Sequence, residues 1–419
     1  MNGGDVVLGA WMSYTTQSGN NTLNYQYLDV QGLAERQDHI LEMYSGNSLA
    51  SKAQFRTLPI DLPSAVEDPL TVLLGSCFCS SRSESVSIGA AYLDLQRLYK
   101  TDLKILCGDQ VYLDDPTLHF TFHTHTPADL EDRLFANYLR TWTQMGGSVA
   151  GGFSTGNQSF LQGGANFFTS DDHEFWNNAP SWATLIRDTW SQQGRDTWRQ
   201  IASSLLEVFQ SRVTMTQFNV GNVSFFMADT RFNRDANRQR FMSDNDLAAL
   251  RTWVSGLTGL GVLVVGQPIF DKKAGWTGAL TDWGLPDYQQ FNDLVPALAQ
   301  TDHSILVLTG DVHFGRVAFC QLKDQVYLYE IISSPTALVN PAVGGKWKAA
   351  PDLFPADSIS GTVSAGVSTD ANFKFTANHF LTLSFSKDGA DTQVIVRAVE
   401  IKGNGQPVSP VEIARLSLR

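Results

Sequence analysis

The amino-acid sequence predicts an α/β fold with a small β-rich segment at its N-terminus. Two observations lead to this prediction. Between residues 70 and 315, apolar runs of strand length alternate with segments of helical periodicity, which is the pattern of parallel strands joined by helices. Toward both ends of the chain, polar and apolar residues alternate instead, which is typical of strands. The 419 residues, 43% of them hydrophobic, are enough for a sizeable core.

Residues 1–66 form the predicted β-rich segment, in which short alternating stretches flank a Ser-Gly-Asn-Asn turn. The stretch DLPSAVEDP at 61–69 has the composition of a linker. We therefore divide the chain into an N-terminal segment over residues 1–66 and a larger domain over residues 67–419, which ends in strands.

The larger domain begins with a predicted β-α-β unit. The run LTVLLGSC from Leu70 is a buried strand that ends in a glycine loop, SIGAAYLDLQRLY has helical periodicity, and TDLKILC is a second buried strand. Such a unit implies parallel strands and a right-handed crossover. Polar residues after both strands then lie at one edge of the sheet, where open α/β folds bind their ligands.

The rest of the larger domain alternates between the two kinds of element. A Gly-rich loop over 145–158 separates two predicted helical regions. Helices are predicted over 127–142, 181–213 and 243–257. A short strand is predicted to run into FFTSDDHEFWNN at 167–178, and further strands within 217–231, 261–270, 303–315, 317–322, 325–334, 379–386 and 392–401.

The charge of the chain excludes some classes of function. The formal net charge is −12 and no run of Lys or Arg occurs, which argues against a nucleic-acid-binding module or binding to anionic membranes, since both need a positive field. Bound cations can still make one site locally positive for an anionic substrate. The charge is therefore compatible with a phosphatase.

The four cysteines do not form the pattern of a disulfide scaffold, because Cys77 and Cys107 each end a buried strand. The N-terminus has no basic region followed by a long apolar stretch, and no 18-residue apolar run occurs. We expect a soluble chain without a membrane span or export signal, which favours the cytoplasm. The sequence does not indicate an oligomeric state.

Five apolar strands each end in a loop rich in residues that bind metals or phosphate. Clustered ionisable groups repel one another unless a cation holds them together, so five such loops favour a site for two metal ions. These loops are GSC, GDQVY, SDDHE, ADTR and GDVH.

Two of these loops have the most informative spacing. Asp109 follows a glycine at a strand end, where its carboxylate can bridge two metals, and Tyr112 can turn back toward the same site. Asp311 and His313 are two residues apart, so both side chains face the same way on an extended segment. The alternatives are a turn-capping Asp109 with a packed Tyr112, and a hydrogen-bonded Asp311–His313 pair.

The SDDHE loop places acidic residues around His173 and is followed by Asn177. Asp172 is a candidate ligand, and His173 is a candidate general acid or a cation that meets the phosphate. A helix N-cap with Asp and Glu in the first turn is the alternative interpretation.

The other candidate residues are single side chains. Cys77 can be a metal ligand, a nucleophile or a small buried residue. Arg231 and Arg234 suit phosphate binding, with surface ion pairs as the alternative. Gln267 can face the site or serve as a strand-end amide.

A run of three histidines lies in a predicted loop and has the spacing of a possible metal site. No cysteine or carboxylate cluster of a suitable kind accompanies them, so we assign them no catalytic role. These residues are His119, His123 and His125.

The ordered set GSC, GDQVY, DDHE followed by NN, ADTR and GDVH resembles the PhoD-like (alkaline phosphatase D) metallophosphoesterases over roughly residues 70–340. The resemblance implies an αββα sandwich, with residues 1–66 as a shortened form of the family's N-terminal β domain. The Gly-Asp-x-x-Tyr spacing is similar to that of purple acid phosphatases as well. Cys77 and Asp311 depart from that second family, which has an acidic residue and a histidine there.

The resemblance also implies ligand sets. Cys77, Asp109, Tyr112 and His313 would hold Fe(III), and Asp109, Asp172, Asp311 and Asn177 would hold Ca²⁺. Thiolate and phenolate suit ferric iron, whereas carboxylate and amide oxygens suit calcium. Mn, Zn or Mg pairs are alternatives.

The resulting hypothesis is hydrolysis of small phosphomonoesters or phosphodiesters by attack of a metal-bound hydroxide. His173 would protonate the leaving oxygen, and Arg231 would stabilise the phosphate oxygens, with Arg234 and Gln267 as further substrate contacts. The alternatives are a hydrolase with Cys77 as its nucleophile and a non-catalytic binding protein stabilised by metal.

Overall fold

The structure is a computed structural model that describes residues 5–64, 66–147, 155–211, 213–275, 278, 282–337, 346–402 and 408–419. Six α-helices and twenty strands occur in this part of the chain. The helices are α1 (Ile88–Leu98), α2 (Pro127–Trp142), α3 (Asn157–Gln162), α4 (Gln192–Gln210), α5 (Asp244–Ser255) and α6 (Phe291–Ala299).

The strands of the N-terminal segment are β1 (Asp5–Leu8), β2 (Met12–Thr15), β3 (Thr22–Tyr25), β4 (Leu28–Gln31), β5 (Asp38–Ser45) and β6 (Ser48–Arg56). Those of the larger domain are β7 (Leu70–Gly75), β8 (Leu103–Cys107), β9 (Ala165–Thr169), β10 (Met215–Val220), β11 (Val223–Ala228), β12 (Gly261–Val264), β13 (Ile305–Thr309), β14 (Arg316–Lys323), β15 (Val326–Ile332), β16 (Leu353–Phe354), β17 (Ala365–Thr369), β18 (His379–Asp388), β19 (Asp391–Glu400) and β20 (Val411–Leu418).

The larger domain contains two mixed sheets. The six-stranded sheet has the order β20-β19-β18-β7-β8-β9, and the eight-stranded sheet has the order β10-β11-β12-β13-β15-β14-β17-β16. Strands β7, β8 and β9 are parallel to their neighbours in this series, as are β11, β12 and β13. The predicted β-α-β unit is thus confirmed, and each parallel series delivers its loops to one sheet edge.

The alternation of side chains along β7 explains how the sheets are covered. Leu70, Val72 and Leu74 belong to an apolar cluster shared by both sheets, whereas Leu73 packs against α1 and α3. The opposite face of the eight-stranded sheet packs against α5 and α6. Burial on both faces accounts for the continuous apolar runs that the sequence shows in the central strands.

The N-terminal segment contains strands, as predicted; the structure arranges them in two-stranded pairs, and the segment contacts α2 and α4. Tyr14 donates a hydrogen bond to Glu131 of α2, and its ring stacks on Phe135. Tyr27 donates one to the carbonyl of Glu207 in α4. The predicted linker is also packed, because Leu62 is buried in the cluster between the sheets.

One helix prediction begins too early, and the structure contains two helices, α3 and α6, that were not predicted. The region 181–191 is not part of α4 but contains a short 3₁₀ turn at Arg187–Trp190. Helix α4 begins after Ser191, whose side chain caps it by accepting a hydrogen bond from the Gly194 amide. Helix α6 was not predicted, because Pro296 lies within it.

Of the predicted Gly-rich loop, residues 148–154 lie outside the described residues, and α3 occupies its end. All four cysteines are free and buried, in agreement with the absence of a disulfide scaffold. Among the described helices, none combines the length and the apolar character needed to cross a membrane.

Candidate functional site

The loops after β7, β8, β9 and β13 meet where the two sheet edges adjoin. Four candidate ligands in these loops have left-handed backbone conformations, with φ of 58° at Cys77, 55° at Asp109, 68° at Asp311 and 59° at His313. Residues other than glycine rarely adopt this conformation, and where they do so they concentrate at functional sites. The backbone strain thus marks the same edge that the sequence motifs indicate.

Two glycines allow the loops to approach this closely. Gly108 has φ of 78°, and a Cβ built on it would lie 2.5 Å from the Asp171 Cβ. A Cβ on Gly310 would lie 2.3 Å from the Ser76 Oγ. The glycines of the GDQVY and GDVH loops are therefore required by contact with neighbouring strand ends.

The first group of potential metal ligands contains Cys77, Asp109 and His313, whose donor atoms lie within 4.8 Å of one another. The Cys77 Sγ is 3.5 Å from the Asp109 carboxylate. The Tyr112 hydroxyl is 3.3 Å from the His313 Nε2. This group therefore combines a thiol, a phenol, an imidazole and a carboxylate.

The second group contains Asp109, Asp172 and His173, again within 4.8 Å of one another. The His173 Nδ1 is 2.8 Å from the Asp114 Oδ1, and its ring centroid lies 4.1 Å from that of Tyr112. Asp109 belongs to both groups, which is the position required of a bridging carboxylate.

The third group contains Asp171, Asp172 and Asp282, and here an arginine supplies positive charge. The Arg231 Nε donates to Asp171 at 2.6 Å and its Nη2 donates to Asp282 at 2.6 Å. Only 1% of the Arg231 side chain is exposed. The guanidinium thus neutralises these carboxylates within the protein.

The electrostatics of Asp109 and Asp311 favour a bound cation. Burial, together with Asp171 and Asp172, raises the pKa of Asp109 well above its usual range. Burial and the same two carboxylates also raise the pKa of Asp311 well above its usual range. Carboxylates that resist ionisation when unpartnered become stable anions beside a metal.

The donor set is compatible with the metals that the family resemblance implies. Thiol and phenol groups suit ferric iron, and the carboxylates suit calcium. An amide is available as well, because the Asn178 Oδ1 is buried without a hydrogen-bond partner among the described residues and the Asn178 backbone amide donates to Asp172 at 2.6 Å.

Comparison by sequence finds no match, since no family model and no curated protein is similar to this chain. Comparison of structures does find matches. A solved structure of PhoD is 17% identical, with 95% of this chain and 79% of that chain covered and a TM-score of 0.61. This chain has the PhoD fold.

A second match is the purple acid phosphatase PPD1 from yellow lupin (Lupinus luteus) seeds. It is 10% identical, with 94% of this chain and 62% of that chain covered and a TM-score of 0.50. At these identities the likeness establishes the fold alone. The PhoD resemblance indicated by the ordered motifs is thereby confirmed at the level of the fold.

Within the PhoD fold, the acidic loop after β9 serves two purposes. Asp171 caps the 3₁₀ turn Asp172–Glu174 in a capping box with Glu174, so the N-cap interpretation of this loop also holds. Asp172 and His173 nevertheless belong to the second group of potential ligands. The cap orients the turn that presents them.

Three candidate substrate contacts are engaged in internal hydrogen bonds. Arg231 is held by the third group. The Arg234 Nη2 donates to the Gln267 Oε1 at 2.9 Å, and the Gln267 Nε2 donates to Asp311 at 3.1 Å. With 2% of Arg231 and 1% of Arg234 exposed, the geometry does not support direct phosphate contacts by these arginines.

Two candidate ligands lie differently from their predicted positions. Asn177 is exposed, and its neighbour Asn178 is the buried amide. Asp311 joins none of the three groups found among the described residues. Its carboxylate instead accepts the hydrogen bond from Gln267.

The histidine run is not a metal site in the described part of the chain. The His125 Nδ1 is 2.6 Å from the Asp188 Oδ2, whose partner oxygen accepts from the His125 amide. Neither His119 nor His123 joins a group of potential ligands. His125 therefore ties its loop to the 3₁₀ turn before α4.

Several residues that support the site were not among the predicted site residues. Glu174 is fully buried and accepts hydrogen bonds from the Asp109, Gln110 and Asp171 amides. Ser334 lies 3.1 Å from the Cys77 Sγ. Asp114 could have been found from the sequence, because it lies five residues after Asp109. Ser334 could not, because it is more than 250 residues from Cys77 in sequence.

Proposed function

We propose that this protein is a metal-dependent phosphoesterase. The observation that carries the proposal is the convergence, at one edge of a PhoD fold, of two ligand groups that share Asp109. Small phosphomonoesters, phosphodiesters or both are the proposed substrates.

The chain's own donors define two proposed metal positions. Cys77, Asp109, Tyr112 and His313 would hold Fe(III), and Asp109 with Asp172 would hold Ca²⁺; Mn, Zn or Mg are the alternatives. Asp311 remains a proposed ligand, and Asn178 is a better-placed amide than Asn177. When bound, such metals lower the pKa of a coordinated water and neutralise phosphate oxygens.

His173 is the proposed general acid. Burial would lower its pKa, but Asp114, Asp172 and Asp109 outweigh burial and raise the pKa well above its usual range. The hydrogen bond from Nδ1 to Asp114 fixes the ring. His173 would then hold a proton on Nε2 for the leaving oxygen of the ester.

Arg231 is proposed to act through Asp171 rather than on the substrate. Its guanidinium holds Asp171 and Asp282 together, and the carboxylate of Asp171 accepts a hydrogen bond from the Asp172 amide at 2.8 Å. Arg231 would thereby position Asp172. Direct contacts of Arg234 and Gln267 with the substrate remain a prediction. The hydrogen bonds that both side chains make within the protein do not favour it.

We also propose how the layers and domains of the fold are arranged. We place the layers as the αββα sandwich of the metallophosphoesterases, with a boundary at residues 66 and 67 and a shortened β domain before it. The support is the apolar cluster shared by both sheets and the helices on their outer faces.

The proposal is tested by hydrolysis of p-nitrophenyl phosphate and bis-p-nitrophenyl phosphate by the purified protein. Activity should disappear with a chelator, return with metal, and be lost in Asp109→Ala while circular dichroism is unchanged. Asp129→Ala, an exposed carboxylate on α2, is the matched control. Chelator-resistant hydrolysis would contradict the proposal, and a well-folded wild type inactive with every metal would favour the binding protein.

The cysteine-nucleophile alternative is less compatible with the site. Burial, with Asp109 and Asp311 nearby, raises the pKa of Cys77 well above its usual range. Its Sγ contacts Ser334 and Asp109 rather than a histidine within hydrogen-bond distance. Trapping of a covalent adduct at Cys77 would be the observation in favour of this alternative.

A further inference from the structure

Glu174 is a completely buried carboxylate in the acidic loop after β9. A buried carboxylate is costly unless it is paired or accepts hydrogen bonds. Glu174 belongs to none of the three groups of potential metal ligands found among the described residues. The hydrogen bonds that it accepts, rather than a metal position, should therefore account for its burial.

Both carboxylate oxygens of Glu174 are engaged. The Oε2 accepts hydrogen bonds from the backbone amides of Asp109 and Asp171, both at 2.8 Å. The Oε1 accepts one from the Gln110 amide at 2.6 Å and one from the Gln210 side chain at 3.3 Å. Glu174 thus joins the loops that follow β8 and β9 to helix α4.

The two amides from the loop after β8 belong to consecutive residues, Asp109 and Gln110. Successive backbone N–H groups that converge on one point form a binding site for an anion, and here the anion is the Glu174 carboxylate. The φ angle of Asp109 is 55°, a conformation that costs free energy in residues other than glycine. Glu174 therefore stabilises a strained backbone at the residue that both ligand groups share.

The backbone of Asp109 in turn directs its side chain, because the allowed rotamers depend on φ and ψ. The Asp109 Oδ2 is 3.5 Å from the Cys77 Sγ, and the Asp109 Oδ1 accepts a hydrogen bond from the His173 amide at 3.2 Å. One oxygen is thus directed to the first group, and the other to the turn that carries His173 of the second. Glu174 can affect both groups through Asp109 alone.

We propose that Glu174 is a positioning residue for the bridging ligand Asp109, and that it raises the affinity of both metal positions without contacting either metal. This inference rests on the proposed function, since it assumes that Asp109 binds metal. Hydrogen-bond partners of metal ligands commonly tune the affinity of a site. Glu174 differs from most of them in that it holds the backbone of the ligand rather than its side chain.

The test is E174Q, which keeps the size of the side chain but has one acceptor oxygen in place of two. Either the Asp109 amide or the Gln110 amide then meets an NH₂ group, which cannot accept its hydrogen bond. The matched control is E131Q, because Glu131 is another buried carboxylate that accepts hydrogen bonds, and it lies on α2 beside the N-terminal segment. Circular dichroism and urea denaturation compare the folds of both variants.

Binding of Mn²⁺ to the metal-free proteins is measured by calorimetric titration, and hydrolysis of p-nitrophenyl phosphate is measured with Mn²⁺ at saturation. We expect E174Q to bind Mn²⁺ about tenfold more weakly than the wild type. Its kcat should fall by about tenfold while KM stays within about twofold, because Glu174 does not contact the substrate. E131Q should match the wild type in all three quantities.

A residue that only stabilises the fold would change the free energy of unfolding and leave the Mn²⁺ affinity of the folded protein unchanged. Wild-type affinity in E174Q, or an equal loss of affinity in E131Q, would therefore overturn the inference. If E174Q does not fold, Q210M takes its place, because it removes one hydrogen bond to the Glu174 Oε1. We then expect about threefold weaker binding of Mn²⁺, and affinity equal to that of Q200M, an exposed position on α4, would overturn the inference.

The inference and the proposed function can fail separately. A wild type that binds Mn²⁺ but hydrolyses neither p-nitrophenyl phosphate nor bis-p-nitrophenyl phosphate would contradict the proposed function, and the Mn²⁺ affinities of the variants would still decide the inference. An active wild type with unchanged affinity and kcat in E174Q would contradict the inference alone. A wild type that binds none of Mn²⁺, Ca²⁺ and Zn²⁺ would contradict both.

Discussion

Two of the three groups of potential metal ligands share Asp172, and they differ in the positive charge that neutralises their carboxylates. The group of Asp171, Asp172 and Asp282 contains the Arg231 guanidinium. The group of Asp109, Asp172 and His173 contains the titratable His173 imidazole, which also pairs with Asp114 outside the group. Burial and neighbouring carboxylates accordingly raise the pKa of Asp109 well above its usual range, whereas Arg231 limits the pKa of Asp171 to about 6.

This difference indicates which group needs a cation from solution. An arginine within the fold is a permanent counter-ion that holds carboxylates in place. A group whose only internal cation is an imidazole shared with a further carboxylate gains stability as a set of anions when a metal binds. The site therefore consists of a group of carboxylates neutralised by Arg231 and an adjoining group of potential metal ligands.

The largest effect should follow from changing the residue common to both groups. Asp172→Asn removes a proposed ligand, and we expect hydrolysis of p-nitrophenyl phosphate to fall by more than about 100-fold, because even outer-shell changes cost 10- to 100-fold. Unchanged activity with unchanged metal content would remove Asp172 from the metal site.

Removing the internal counter-ion should act on stability first. Arg231→Met leaves the buried Asp171 without its ion-pair partner and leaves the partly exposed Asp282 with Arg234, 4.0 Å away, as its ion-pair partner. We expect the free energy of unfolding to fall by about 3–5 kcal/mol. Urea denaturation measures this loss. The double variant with Asp282→Asn should recover part of it, and a change below 1 kcal/mol would contradict a buried ion pair at this position.

A smaller effect should come from the partner of His173. Asp114→Asn keeps the hydrogen bond but removes the charge that supports a protonated imidazole, so kcat should fall by about 10- to 100-fold with metal content unchanged. Stopped assays with metal analysis separate the two quantities. Loss of metal together with activity would instead make Asp114 a structural support of the ligand loops.

The smallest effect should distinguish the two asparagines. Asn178→Ala removes a buried amide oxygen that has no hydrogen-bond partner in the described part of the chain, and we expect metal affinity to fall by roughly tenfold. Asn177→Ala changes an exposed side chain and should leave affinity within about twofold of the wild type. Titration of the metal-free variants measures both, and the reverse order would restore Asn177 as the ligand.

The sequence predicted those features that depend on local pattern. Continuous apolar runs identified the central strands, and motifs at their ends identified Cys77, Asp109, Tyr112 and His313, which the structure brings together. Helix α6 was missed because proline within a helix is a strong local signal against it. The predicted helix over 181–191 was wrong because Ser191 caps the start of α4 and Asp188 is hydrogen-bonded to His125.

Some of the residues that support the site could not be predicted, because they are close to it in space but distant from the motifs in sequence. Ser334 and Asp282 reach the site from loops far along the chain, so no short motif could include them. Arg231 was interpreted as a substrate contact because an arginine after a strand suits phosphate. Only the packed structure shows that Asp171 and Asp282 occupy its guanidinium.

Metal analysis of the purified protein, together with its visible absorption spectrum, tests the central claim most directly. We expect tightly bound metal in the wild type and a charge-transfer band that disappears in Tyr112→Phe or Cys77→Ser, with metal content reduced in Asp109→Ala. A colourless protein containing only zinc would contradict the iron assignment. A protein that contains no metal and binds none by calorimetry would contradict the claim that the Asp109 groups require a cation.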